Sequence, residues 1–199
     1  MRITKLLVIL PLLAFLACSI PSYTLKNPVE QPGLDFSQGR WLLNDEGTGY
    51  NYQQIYKAAN KDFSKFLGDR LYTVSTTSGL MLPRKIPFNP TRVKILEMYN
   101  GTKYDYLINI KTRTVKDELA TVDLTNHRIK NNDERINSLA LEVYDLKRGE
   151  IIYSQTAMGV TSRDNNNNSD VTFNKSNSGM LIGCYNKIMK DIKSKSKVK

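Results

Sequence analysis

Residues 138–160 read SLALEVYDLKRGEIIYSQTAMGV, and the fold turns on how that stretch is folded back on itself. Leu139, Leu141 and Val143 alternate with Ala140, Glu142 and Tyr144, the two-residue period of a half-buried strand. Asp145 to Gly149 supply a turn, with Gly149 placed to take positive φ. On the returning arm Ile152, Ser154 and Thr156 are expected to face inward. Upstream, YDYLINIKTRTV (residues 104–115) sets Tyr104, Tyr106, Ile108 and Ile110 against Asp105, Asn109 and Lys111. Leu107 breaks that alternation, so this strand is expected to be interior at first and half-exposed later.

Helical periods stand around this ribbon. In residues 50–71, Tyr52, Ile55, Tyr56, Ala59, Phe63, Phe66 and Leu67 recur at spacings of three and four. Lys57, Asn60, Lys61, Ser64 and Lys65 lie opposite, and Gly68 stands where a left-handed cap belongs. Asn89-Pro90 offers an N-cap and a first-turn proline for a short helix with Val93, Leu96 and Tyr99 inward, stopped by Asn100-Gly101. Leu181, Tyr185, Ile188 and Ile192 form the stripe of a terminal helix capped near Ser176 or Ser178. Trp41, Leu42 and Leu43 make a short apolar run that suits a buried strand, and LYTVSTT (residues 71–77) suits another. Helices interspersed with strands, then an antiparallel hairpin, predict one α/β domain: a mixed sheet with about three helices packed on it.

The chain of 199 residues begins MRITKLLVILPLLAFLAC. Arg2 and Lys5 form a basic head, and an apolar run follows from Leu6 to Phe15, too short for the roughly 20 residues of a membrane span. Residues 1–17 are therefore expected to be an export signal. Phe15-Leu16-Ala17-Cys18 resembles the lipobox of bacterial lipoproteins, which implies a lipid on Cys18. Ordinary cleavage after Ser19 is the competing reading. Residues 18–39, with Pro21, Pro28, Pro32, Gly33 and Gly39, are expected to be a tether. The domain proper is placed at 40–192 and a basic tail at 193–199.

The formal charge of +10 falls to +8 once Arg2 and Lys5 leave with the signal. The end KIMKDIKSKSKVK (residues 187–199) carries six lysines and one aspartate. Such an end is either a solvated tail or a surface attracted to anionic headgroups. No stacking motif accompanies the lysines, so nucleic acid is not expected as a partner.

A long amphipathic helix, a short helix running into Gly101–Ile108, and a turn carrying Asp145, Lys147, Gly149 and Glu150 together resemble a group of bacterial envelope lipoproteins. These are the penicillin-binding-protein activator lipoproteins, the curli-secretion lipoprotein and the amino-terminal domain of the Tol translocation protein. The resemblance covers residues 40–192 and rests on structural motifs. It implies a periplasmic interaction domain held at the outer membrane by its lipid and touching another envelope protein.

No nucleophile elbow, phosphate loop or dinucleotide fingerprint occurs in the sequence. The single His127 stands in a polar stretch, a poor setting for a general base. One histidine and Cys184, expected to be a buried thiol, do not make a metal site. Asp45-Glu46, Asp117-Glu118 and Asp133-Glu134 are adjacent carboxylates, which point to opposite faces on a strand. No enzyme, metal or cofactor is expected. The alternative is a ligand-binding or hydrolytic domain using the loops 75–89 and 161–178. Tyr104, Tyr106, Tyr144 and Tyr153 either form an aromatic partner surface or fill the core beneath the helices.

Overall fold

The computed structural model describes residues 21–26, 32–46, 50–77, 86–117, 134–162 and 175–197. The signal, Cys18, His127 and the Asn-rich stretch after Arg163 lie outside them. The hairpin forms as expected from β5 (Glu134–Asp145) and β6 (Glu150–Ser162). Its turn is closed by Asp145, whose carbonyl accepts from Gly149 N at 2.9 Å and whose carboxylate accepts from Arg148 N at 2.8 Å. Gly149 sits at φ 70°. A Cβ there would also lie 3.0 Å from Leu96 Cγ, so the glycine answers both to the turn and to the helix packed on it.

The inward set on β6 differs from expectation. Val143 pairs with Tyr153 but Tyr144 pairs with Ile151, so Ile152 is an extra residue in the ladder. This bulge shifts the side-chain parity by one. Tyr153, Gln155 and Ala157 are buried, while Ile152, Ser154 and Thr156 are half-exposed.

Six strands form one mixed sheet in the order β1-β6-β5-β4-β2-β3, with β1 at Ser22–Leu25, β2 at Trp41–Leu43, β3 at Leu71–Thr73 and β4 at Tyr106–Asp117. The neighbours from β1 to β4 pair antiparallel, and β2 pairs parallel with both β4 and β3. The chain crosses outward from β2 to β3 through α1 (Tyr50–Leu67), then back from β3 to β4 through α2 (Arg92–Thr102). Parallel crossovers keep one hand, so reversing the direction of travel puts the second helix on the opposite face. Accordingly Trp41, Leu43 and Ile108 pack with α1 and with α3 (Asn177–Lys195), whereas Leu42 and Leu107 pack with Ile95 and Met98 of α2. The fold is a single α/β domain with a six-stranded mixed sheet and, among the described residues, three α-helices.

The α2 stripe also departs from expectation. Asn89 stands outside the helix at φ 53°, and Thr91 is the cap, its side chain accepting from Lys94 N at 3.5 Å. Val93 is 64 % exposed, and Ile95, Met98 and Thr102 face inward. Apolar residues surround this helix, so spacing alone does not select its buried line. Asn100-Gly101 continues the helix, which ends at Lys103 in the left-handed region.

The described parts of the expected tether and tail, residues 21–26, 32–39 and 193–197, belong to the fold. β1 pairs with β6 from Ser22↔Val160 to Leu25↔Ala157. Leu34 and Phe36 are buried, and Phe36 stacks on Phe66 at 4.9 Å. Lys197 N donates to Leu34 O at 3.0 Å, and Phe36 N donates to Lys197 O at 3.2 Å, joining this segment to the end of α3. Proline and glycine content read as a spacer, yet four apolar side chains (Tyr23, Leu25, Leu34, Phe36) had a sheet edge and a helix to cover. Tyr23 fastens β1. Its ring lies against Gly159 of β6 and Gly183 of α3, where a Cβ would come within 2.9 Å and 2.1 Å of ring atoms. Gly183→Ala is expected to destabilise the protein by roughly 1–3 kcal/mol through overpacking. In a Tyr23→Ala background the same change should cost almost nothing. Urea unfolding of the four proteins reads the cycle, and equal costs in both backgrounds would show that the ring does not occupy this slot.

Candidate functional site

Of the two readings left open for Tyr104, Tyr106, Tyr144 and Tyr153, a partner surface or core filling, the structure buries three and half-buries Tyr106. Tyr153 is buried on the helical face, where its hydroxyl donates to Asp191 Oδ2 of α3 at 3.0 Å. Tyr106 stacks on Trp41 at 4.3 Å and is half-buried on that same face. Tyr104 and Tyr144 are buried on the opposite face with α2. Arg40 lies over the Tyr104 ring at 4.4 Å and also contacts Tyr72, which is partly exposed. These four rings are divided between two cores because the sheet has helices on both sides. Burial raises the hydroxyl pKa of Tyr144 and Tyr153, with the neighbouring Glu142 and Asp191 adding to it, so both remain protonated donors.

A polar cluster that sequence reasoning missed lies where residues 86–90 cross the α2 face of the sheet. Glu142 of β5 is 6 % exposed. Two residues along and on the same face, Tyr144 donates its hydroxyl to Glu142 Oε2. Asn89 N donates to the same oxygen at 3.1 Å and to Tyr144 Oη at 3.0 Å. Opposite Glu142 in the ladder is Asn109 of β4, whose Nδ2 donates to Pro87 O at 3.0 Å. Asn44 Nδ2 donates to Asn109 Oδ1 at 3.0 Å. The arrangement gives one oxygen of a buried carboxylate two neutral donors, which makes it a latch: it holds 86–90 down and so sets where α2 begins. The signal was present in the Leu-Glu-Val order, which places Glu142 on the outward face, but nothing local says that 86–90 covers it.

Of the loops expected to frame a ligand site, residues 86–89 are spent on this latch. Asp45 accepts from Ser75 N at 2.8 Å and from the Ser75 hydroxyl, bracing the β3 turn. Cys184 is buried as expected, its thiol 3.7 Å from Asn137 O, and burial pushes its pKa up to about 11. Among the described residues no group of histidine, cysteine, aspartate and glutamate is placed to hold a metal ion, and no helix is long and apolar enough to cross a membrane.

Two surfaces carry no helix or latch among the described residues. Beyond the latch no described segment crosses the sheet face, and Lys111 and Arg113 of β4, Ser138 and Ala140 of β5, Thr156 and Met158 of β6, and Thr24 of β1 are exposed or half-exposed. The other is the outer side of the α1–α3 layer. Gln53, Lys57, Asn60, Lys61, Ser64 and Lys65 of α1 are exposed there, with Asn186, Lys187, Lys190, Lys193, Ser194 and Lys195 of α3.

No family model and no curated protein matches the sequence. Among solved structures, a PelC dodecamer from Paraburkholderia phytofirmans is 10 % identical, covering 89 % of this chain and 99 % of that one, with a TM-score of 0.43. Lipoprotein GNA1162 from Neisseria meningitidis is 14 % identical over 78 % of this chain and 99 % of its own, with a TM-score of 0.41. The hypothetical protein CT253 from Chlamydia trachomatis is 12 % identical over 79 % and 95 %, with a TM-score of 0.34. Likenesses at these scores assign neither a family nor a task.

Tyr144→Phe is expected to cost roughly 1–3 kcal/mol by leaving Glu142 and Asn89 N short of a partner, and to speed hydrogen exchange at the Asn89 amide. An unchanged urea midpoint would show that the latch carries no stability. The thiol makes a separate prediction. Its pKa rises from 9.0 to about 11 on folding, so its contribution is full below about pH 9 and is lost as pH climbs through about 11. Cys184→Ala should remove about 2–3 kcal/mol of the stability lost across that window, read from unfolding curves at each pH.

Proposed function

We propose that this chain is a lipid-anchored bacterial envelope protein that serves as a non-enzymatic accessory module for another envelope protein, displayed at the outer membrane on its periplasmic side. The observation that carries this reading is the junction between leader and fold. Cys18 of the Phe15–Cys18 segment stands four residues before β1, no more than about 14 Å of extended chain. The strand that follows is paired into the sheet and fixed by Tyr23 against Gly183. A thioether-linked diacylglyceryl group and an amide-linked acyl chain on Cys18 would thus hold the folded body at the membrane rather than on a long leash. Two or more acyl chains give stable anchoring, since each buried methylene contributes about 0.8 kcal/mol.

The partner in this proposal is met on the open sheet face. Small hydroxyl side chains there (Thr24, Ser138, Thr156) alternate with the half-buried apolar groups Ala140 and Met158 and with the cations Lys111 and Arg113. A mixed surface of this kind suits reversible contact with a folded protein better than binding of a small molecule, which favours a concave apolar site. Intact mass of the membrane-extracted protein should exceed that of the Cys18→Ala protein by the mass of the acyl groups, and the variant should move to the aqueous phase of a detergent partition. A native protein that starts at Ile20 without fatty acid would end this reading.

A further inference from the structure

α1 and α3 lie side by side and run in the same direction. Ser178 bonds Gln54 near their starts, Tyr185 Oη lies 3.4 Å from Asp62 Oδ2 midway, and Lys193 Nζ lies over Phe66 near their ends. Two rows of lysines result. Lys57, Lys61 and Lys65 repeat every four residues along α1, about 6 Å apart, and Lys187, Lys190 and Lys193 every three along α3, about 4.5 Å apart. Apart from lysines, the described side chains exposed on the two helices are amides and hydroxyls: Gln53, Asn60, Ser64, Asn186 and Ser194.

The layer's two acids offset only the far end of these rows, at Lys65, Lys193 and Lys195. Asp62 is only 19 % exposed, lying 3.4 Å from the Tyr185 hydroxyl, with Lys65 and Lys193 beside it. Asp191 is 12 % exposed, accepting from Tyr153 and paired with Lys195. Both carboxylates also meet buried tyrosines, and neither pairs with Lys57, Lys61, Lys187 or Lys190, so the outward potential around those four is set by ammonium groups. Asp69 stands past the end of α1, in the 3₁₀ turn Gly68–Arg70.

The strand that follows Cys18 is locked to this same layer, since the Tyr23 ring occupies the space a side chain on Gly183 of α3 would need. Lys175, just before α3, lies over that ring at 5.7 Å. A chain anchored at Cys18 therefore enters the fold beside the start of the lysine-bearing helix.

From these observations we infer that the outer surface of the α1–α3 layer binds the anionic phospholipid headgroups of the membrane that holds the Cys18 lipid. The orientation rests on the lipid-anchored reading; the headgroup affinity does not. Each lysine is a flexible point charge suited to phosphate without fixed geometry, and each adjacent to an anionic surface adds about fivefold in affinity. The opposite, open face of the sheet is then left toward its protein partner.

The test uses the Cys18→Ala chain, so acylation plays no part in it. Sedimentation with phosphatidylcholine vesicles should show little binding. Vesicles with added phosphatidylglycerol should bind it, and binding should fall steeply as salt rises. Replacing Lys57, Lys61, Lys187 and Lys190 by Gln should weaken binding at least thirtyfold, while replacing them by Arg should retain it. All four side chains are exposed, so the urea midpoint should hold. A control with Lys111 and Arg113 changed to Gln should bind as before. Equal binding to neutral and anionic vesicles, an unaffected Gln variant, or loss of binding in the control instead would each overturn the inference. Binding of an acidic envelope protein by these lysines, with no preference for anionic vesicles, would overturn it as well. The lipid mass on Cys18 is measured independently, so a missing lipid and a silent lysine surface are told apart.

Discussion

A strand only three residues long holds the two cores together. Trp41, Leu42 and Leu43 are all buried, and successive side chains on a strand point to opposite faces. Trp41 and Leu43 therefore belong to the core under α1 and α3, and Leu42 to the core under α2. Fully burying each such side chain stabilises by about 1.5–3 kcal/mol, and neither face of β2 can be left open without loss. Everything parallel in the sheet is registered on this strand: Leu42 stands opposite Leu107 of β4 on one side and Tyr72 of β3 on the other. The opposed placement of α1 and α2 follows from the same centre, because both crossovers start or end at its neighbours.

Elements whose pattern is self-sufficient were legible in the sequence. The α1 face, the α3 stripe with a cap at Ser176 or Ser178 (the structure selects Ser176), the Gly149 turn and the Trp41–Leu43 strand depend on local periodicity and on one residue with the right backbone freedom. Elements decided by distant contacts were not. No local feature announces the extra residue at Ile152, yet it moves every inward side chain of β6 after it by one. The α2 line was chosen by what Leu42, Leu107 and Tyr144 leave uncovered. A Pro- and Gly-rich entry segment looks like a linker until Phe36 finds Trp41 and Phe66. Of the site residues, Cys184 was legible as buried, the four tyrosines were not separable between surface and core, and the Glu142 latch requires knowing that 86–90 passes over β5.

Buried hydroxyls show a common design. Tyr144, Tyr153 and Tyr185 each bring an aromatic ring into a core and place the hydroxyl against a carboxylate, on Glu142, Asp191 and Asp62 respectively. Burial raises all three hydroxyl pKa values, and the nearby negative charge raises them further. The phenol thus stays a donor over the ordinary pH range, and each carboxylate gains a neutral partner, beside lysines for Asp62 and Asp191. On the α1–α3 layer, Lys57, Lys61, Lys187 and Lys190 are paired with neither aspartate.

That last consequence links the interior to the surface. Asp62 and Asp191 keep ion pairs with Lys65, Lys193 and Lys195 at the surface, and such pairs contribute little to stability. They also fasten α1 to α3 and α3 to β6 through tyrosines, and the helical layer keeps its positive field. The same geometry accounts for the unequal faces of the sheet. The helical side has acids within and lysines without, while the α2 side buries its carboxylate, Glu142, under 86–90 and leaves a mixed polar shelf beyond. A body entered by its chain at the edge beside α3 has one face suited to anionic headgroups and the other turned away from them, and that division follows from which tyrosine hydroxyl each acid meets.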